Sequence, residues 1–212
     1  RDLPSFPTRR SSDLDVPAAP VYAHTKKIAN ELIESVMEHL PDAKPIYFDF
    51  IEDPSVNAYA FRDNSQYFIG INAGAVLLLH LIIDHMLASR ITFPMIGNPQ
   101  NERESLPVVS WSEVNVENLF LSGVRPIGAI SHERVLLGKS IADQAIMFLV
   151  GHEIAHITRG HVDFLQNEMQ ASYVSEKVSN DKADEKLVRQ AIEADADRRS
   201  VHARCYSMHL TA

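Results

Sequence analysis

Gly151-His152-Glu153-Ile154-Ala155-His156 closes a run of apolar residues, Ile141, Ala142, Ala145, Ile146, Phe148, Leu149 and Val150, and its reading decides the fold. The run has helical spacing, so Lys139 to Thr158 is expected to form a buried helix. Residues four apart on a helix differ by only about 40° around its axis. His152 and His156 therefore project from one face, spaced as two imidazole ligands of a single ion. Glu153 sits beside that pair, where it can reach a water next to the ion without ligating, which suits a general base. Burying an unpaired carboxylate is costly, and a divalent cation supplies the compensating charge. Gly151 is expected to let another backbone approach closely.

Upstream, Val21 to Leu40 carries a 3.6-residue stripe of Ile28, Leu32, Ile33, Val36, Met37 and Leu40, an amphipathic helix ending at Pro41. Three β-type runs follow, Ile46 to Ile51, Val56 to Phe61 and Tyr67 to Ile71. Turn signals at Asp53-Pro54 and Arg62-Asp63-Asn64-Ser65 separate them, and the expectation is a small antiparallel sheet. Ala73 to Ser89 reads as a second, largely buried helix, and residues 94 to 112 as a polar, breaker-rich inserted loop. Residues 113 to 137 have no clear period, and His132-Glu133 within them reads as loop. Asp181 to Tyr206 reads as a helix with a heavily charged face. The fold class is α+β, mainly helical, with a small sheet next to the metal helix.

A third ligand decides what the histidine pair means. One known extension of the motif needs Gly and His three and six residues after His156, where Arg159 and Val162 stand, so it is excluded. A second spacing falls on Ser175, with Glu176 one place late. Further on, Glu193-Ala194-Asp195-Ala196-Asp197 puts Glu193 and Asp197 four apart on one helix face. One of these two can ligate while the other accepts the free N–H of a ligand imidazole. His161 lies about 140° around the helix from His156 and cannot share its face unless Gly160 breaks the helix. His80 and Asp84, also at helical spacing, read as a hydrogen-bonded core pair before a second metal point.

Composition bounds the partners. The 212 residues carry 20 Lys+Arg and 28 Asp+Glu, a net charge of -8 with no basic run, which argues against nucleic acid. Cys205 is the single cysteine, so disulfides within the chain and cysteine metal clusters are out. The longest apolar stretch, Ala73 to Ile83, is too short for a bilayer span of about 20 residues, and the visible chain reads as soluble. The chain begins with Arg1, and residues 5–14 resemble a translated sequencing adapter. Residues 1–14 are therefore set apart as an artefact or disordered tail, leaving 15–212 as a single catalytic domain.

Taken together these residues resemble the CAAX prenyl protease and HtpX-like family of zinc metallopeptidases, of the gluzincin type. Three segments carry the likeness: Pro54 to Phe61 with Tyr67 to Asn72, Leu149 to His156 with His161, and Glu193 to Asp197. The resemblance implies a zincin-like fold and one Zn2+ per chain held by His152, His156 and Glu193. Glu153 would be the catalytic base and Asp197 the partner of a ligand imidazole. The implied activity is zinc-dependent endopeptidase action on peptide or unfolded protein. Extended substrate would add to a sheet edge, with Asn57, Ala58 and Tyr59, or the Tyr67 to Ile71 strand, as the candidate. His202, Arg204 and Tyr206 are candidates for stabilising an oxyanion. The rival reading is a non-catalytic zinc-binding module, against which Glu153 speaks, because a structural site has no use for a base and normally has four protein ligands.

Overall fold

A computed structural model describes residues 19–40, 43–106, 127–168, 174–175 and 183–208. The tail at 1–14, Glu176 and residues 113–126 lie outside the described residues, as do the side chains of His202, Arg204 and Tyr206. Helix α1 (Ala19–Glu38) leads into β1 (Ile46–Ile51), β2 (Ala58–Asp63) and β3 (Gln66–Asn72), followed directly by α2 (Ala73–Leu87). A short 3-10 turn (Pro99–Asn101) interrupts the next connection. Then come α3 (His132–Thr158), α4 (His161–Glu168), the two-residue strand β4 (Val174–Ser175) and α5 (Ala183–Met208). The architecture is α+β and mainly helical. Among the described residues no helix is long and apolar enough to cross a membrane.

The sheet corrects one expectation. Its strand order is β1-β3-β2-β4, and it is mixed: β1 runs parallel to β3, while β2 pairs antiparallel with both β3 and β4. The β2–β3 hairpin turns tightly at Asn64, whose φ of 53° lies in the left-handed region that asparagine tolerates. The 52–57 connection then carries the chain from β1 to the far side of β3, so that sequence neighbours β1 and β2 do not pair. It packs against the start of α2, where Gly74 N–H donates to the Asp53 carbonyl and Asn72 N–H donates to that of Asn57. Contact there is so close that a Cβ on Gly74 would lie 2.0 Å from the Pro54 carbonyl oxygen.

One face of the sheet supplies Phe48, Phe50, Ile69 and Ile71 to a core completed by Leu32 and Ile33 of α1, Val76 of α2, and Ile146, Val150 and Ile154 of α3. The Tyr22 hydroxyl ties α1 to the start of α2 by donating to the Ala73 carbonyl at 3.2 Å. The helix that carries the histidines is longer than expected. His132-Glu133 opens α3 rather than lying in a loop, because Ser131 ends the extended segment and its hydroxyl donates to the Glu133 carboxylate at 2.6 Å. An acidic residue in the first turn also suits the positive end of the helix dipole.

The connection from α2 into the inserted segment is anchored rather than simply exposed. Arg134, fully buried on α3, donates to five main-chain carbonyls: Leu87 and Ser89 at 2.8 Å, Thr92, Phe93 at 3.0 Å and Ile96 at 3.2 Å. Buried Glu102 accepts from the Ile130 and Ser131 N–H groups and lies 3.7 Å from the Arg134 guanidinium. Two charges in the same buried place are tolerable because each is also hydrogen-bonded to main chain.

Candidate metal centre

Burial along α3 peaks where the motif stands, with every residue from Val150 to Ile157 buried. Three long helices pack along it. α1 and α2 cover the apolar faces, and α5 lies across the histidine face, placing Ile192, Ala196 and Ser200 in the interface. The adjoining stripe of α5 brings Glu193 and Asp197 to the histidines. Gly151 does face α5, yet a Cβ there would sit 3.6 Å from the Ser200 Cβ, an ordinary contact. Close approach is thus real but does not demand glycine.

The Nε2 atoms of His152 and His156 are 2.9 Å apart, and Glu193 Oε2 lies 3.0 Å from the first and 3.3 Å from the second. Among the described residues this is the one group of three potential ligands that converges so closely. Ligands about 2 Å from one tetrahedral ion are roughly 3.3 Å apart, so the triangle fits a zinc-sized cation with a fourth position open. Asp197 Oδ1 lies 2.9 Å from His152 Nδ1, which directs that proton to Asp197 and the Nε2 lone pair to the ligand triangle. Glu153, adjacent in sequence, is buried with them.

Electrostatics follow from this crowding. Burial works to lower the His152 pKa, but the Glu193 hydrogen bond and the charges of Glu153, Glu193 and Asp197 outweigh it and push it up to about 9. Burial would raise Glu193, yet hydrogen bonds and charge from His152 and His156 pull it down to about 2. Three electron-rich atoms packed this closely call for positive charge in their midst, whether a metal ion or a proton.

His161 meets the condition set for it. α3 ends at Thr158, Gly160 turns the chain at a φ of 75°, and α4 begins with His161, so the helix breaks between the two histidines. His161 Nδ1 comes within 3.2 Å of His156 Nδ1. Burial, together with neighbouring His156, holds His161 below its ordinary pKa. Its other nitrogen faces Asp195, and Arg159 also binds that carboxylate. Neither Asp195 nor Arg159 was singled out by sequence reasoning, although Gly160 was the available signal.

One of the two strands expected to offer an edge does not. β3 is paired on both sides, so Tyr67 to Ile71 offers no edge. Asn57 and Ala58 are buried, Ala58 pairs with Ile71, and Tyr59 and Ala60 pair with Ser175 and Val174 of β4. β4, not β2, therefore borders the sheet at Tyr59. His80 and Asp84 line a cavity with His24 and Asp143, the latter two 2.8 Å apart, and among the described residues they join no convergent group of three.

A profile of peptidase family M48 matches residues 23–179, about three quarters of the chain. The chain belongs to that family. No curated protein and no solved structure gives a significant match. M48 peptidases are zinc metallopeptidases, and the matched span covers the sheet and both histidines of the ligand triangle. It stops before α5, so the attachment of Glu193 and Asp197 to this M48 site rests on their distances from His152 and His156.

Proposed function

We propose that this M48 chain is a zinc-dependent endopeptidase with a zincin-like domain of the gluzincin type, acting on peptide or unfolded protein. The observation that carries this reading is the convergence of His152, His156 and Glu193 beside the buried Glu153 carboxylate. The donor set of two imidazoles and one carboxylate is that of a catalytic zinc site with an open position. A zinc ion bound there supplies an acidified water and polarisation of the scissile carbonyl. Glu153 takes the proton of the attacking water and returns it to the leaving amine. Asp197 holds His152 in the tautomer whose Nε2 lone pair faces the ion. Extended substrate is aligned by main-chain pairing at the outer edge of the sheet, which selects for backbone before side chain. The acidic charge balance speaks against nucleic acid as partner.

The test is Glu153→Gln. The variant should bind zinc stoichiometrically and lose hydrolysis of an unfolded protein by about 10²-fold or more. Activity equal to wild type would overturn the mechanism, and stoichiometric zinc without hydrolysis by the wild-type chain would favour a non-catalytic module. For the third ligand, Glu193→Ala should abolish stoichiometric zinc binding and Glu176→Ala should not. The reverse pattern would reassign that ligand.

A further inference from the structure

α5 presents three carboxylates at alternate positions, Glu193, Asp195 and Asp197, and the zinc reading uses only the outer two. Glu193 belongs to the ligand triangle and Asp197 contacts His152 directly. For the other ligand imidazole, His156, no carboxylate among the described residues meets the Nδ1 atom. His161 Nδ1 lies there instead, at 3.2 Å. A histidine that ligates through Nε2 carries its proton on Nδ1, so His156 must donate across this contact and His161 Nδ1 must accept. The proton of neutral His161 then resides on Nε2. That nitrogen lies 3.4 Å from Asp195 Oδ2, and Arg159 Nε donates to the same oxygen at 3.0 Å. The tautomer of His156 thus sets that of His161, and Asp195 stands on the side to which the His161 proton is directed.

α4 is also fastened independently of the metal site. Asp163, two residues after His161, accepts from Arg62 of β2 and from the Tyr67 hydroxyl of β3, the latter at 2.7 Å. The His161 ring is therefore borne by an element tied to the sheet, while the carboxylate behind it comes from α5.

We propose that His161, oriented by Asp195, is a positioning residue for His156, accepting its Nδ1 proton so that His156 Nε2 faces the metal. This rests on the zinc reading above. The two ligand histidines would accordingly be held by different means: a carboxylate directly at His152, and a neutral imidazole backed by a carboxylate at His156.

Two variants separate positioning from packing. In His161→Asn the side-chain Oδ1 can stand where Nδ1 stood and still accept; His161→Leu keeps bulk and loses the acceptor. Zinc affinity, measured on the full chain by competition with a chelating dye, should fall about 10- to 100-fold in His161→Leu. It should stay within about threefold of wild type in His161→Asn, an allowance set by the low end of that range. Asp195→Asn, on the outer side of the relay, should show a smaller loss than His161→Leu. Nitrogen-15 NMR of the histidine-labelled, zinc-loaded wild-type chain should show His161 protonated at Nε2 and bare at Nδ1. Either an Nδ1–H tautomer, or His161→Leu affinity equal to wild type, would overturn the proposal and leave the zinc reading standing. A wild-type chain that binds no zinc would overturn both. Should His161→Leu fail to fold, the NMR tautomer and the Asp195→Asn affinity decide, with wild-type affinity in Asp195→Asn counting against the relay.

Discussion

Two glycines that look alike in the sequence differ in what surrounds them. At Gly74 a methyl group would collide with the Pro54 carbonyl at 2.0 Å, and both partners are backbone that cannot yield without moving the 52–57 connection. Gly74→Ala should lower stability by about 2 kcal/mol or more, within the range for strained and overpacked sites. At Gly151 the nearest atoms beyond its own helix lie at 3.6 Å, so Gly151→Ala fills ordinary space and removes the entropic cost of glycine inside a helix. It should be neutral or stabilise by up to about 1 kcal/mol. Chemical denaturation of the two variants side by side measures both, and a large loss at Gly151 would show that α5 cannot accommodate the methyl. The expectation that Gly151 admits a neighbouring backbone is half right, since α5 is that neighbour but does not come close enough to need glycine.

Elements show where sequence reading ends. The histidine pair was legible because both side chains sit on one helix and a four-residue spacing fixes their common face. Glu193 and Asp197 share a helix face for the same reason; the family resemblance pointed to Glu193 as the ligand, and the distances between helices place Glu193 near both Nε2 atoms and Asp197 at His152 Nδ1. His161 depended on whether Gly160 ends α3, and Asp195 on how α4 then lies against α5, a relation no local pattern encodes. In the sheet, the β-type runs and the turn signals between them located the strands. They could not tell which strands are neighbours, because parallel and antiparallel pairs share the same two-residue period. Glu102 and Arg134 were hidden for a different cause: charged residues near breakers read as exposed, and burial of the pair depends on five carbonyls gathered from elsewhere. Arg134→Met should therefore cost about 3–5 kcal/mol, because it leaves Glu102 as an uncompensated buried charge and strips the carbonyls of their donor. Equilibrium unfolding is the measurement, and a loss under about 1 kcal/mol would mean the segment relaxes to let water in.

For the whole molecule, the candidate metal site should couple stability to pH. In the metal-free chain a proton on His152 contributes stability fully below 6.5, its ordinary value, and that contribution disappears as the pH rises to about 9. Glu193 acts oppositely at the acid end, contributing above its ordinary 4.5 and losing that contribution as the pH falls towards about 2. Between pH 6.5 and 9 the chelated protein should lose thermal stability while the zinc-saturated protein holds its own. The gap between their melting temperatures should widen with pH over that window. An equal gap at both ends would show that His152 does not take up the charge when the metal is removed. The Arg134 anchor has a consequence of another kind, for protein engineering. Loops inserted between elements are usually where a chain accepts a cut, a tag or a grafted peptide. Residues 88–96 are poor ground for such surgery, because opening the chain there would detach carbonyls from a guanidinium seated in the same helix that carries the histidines.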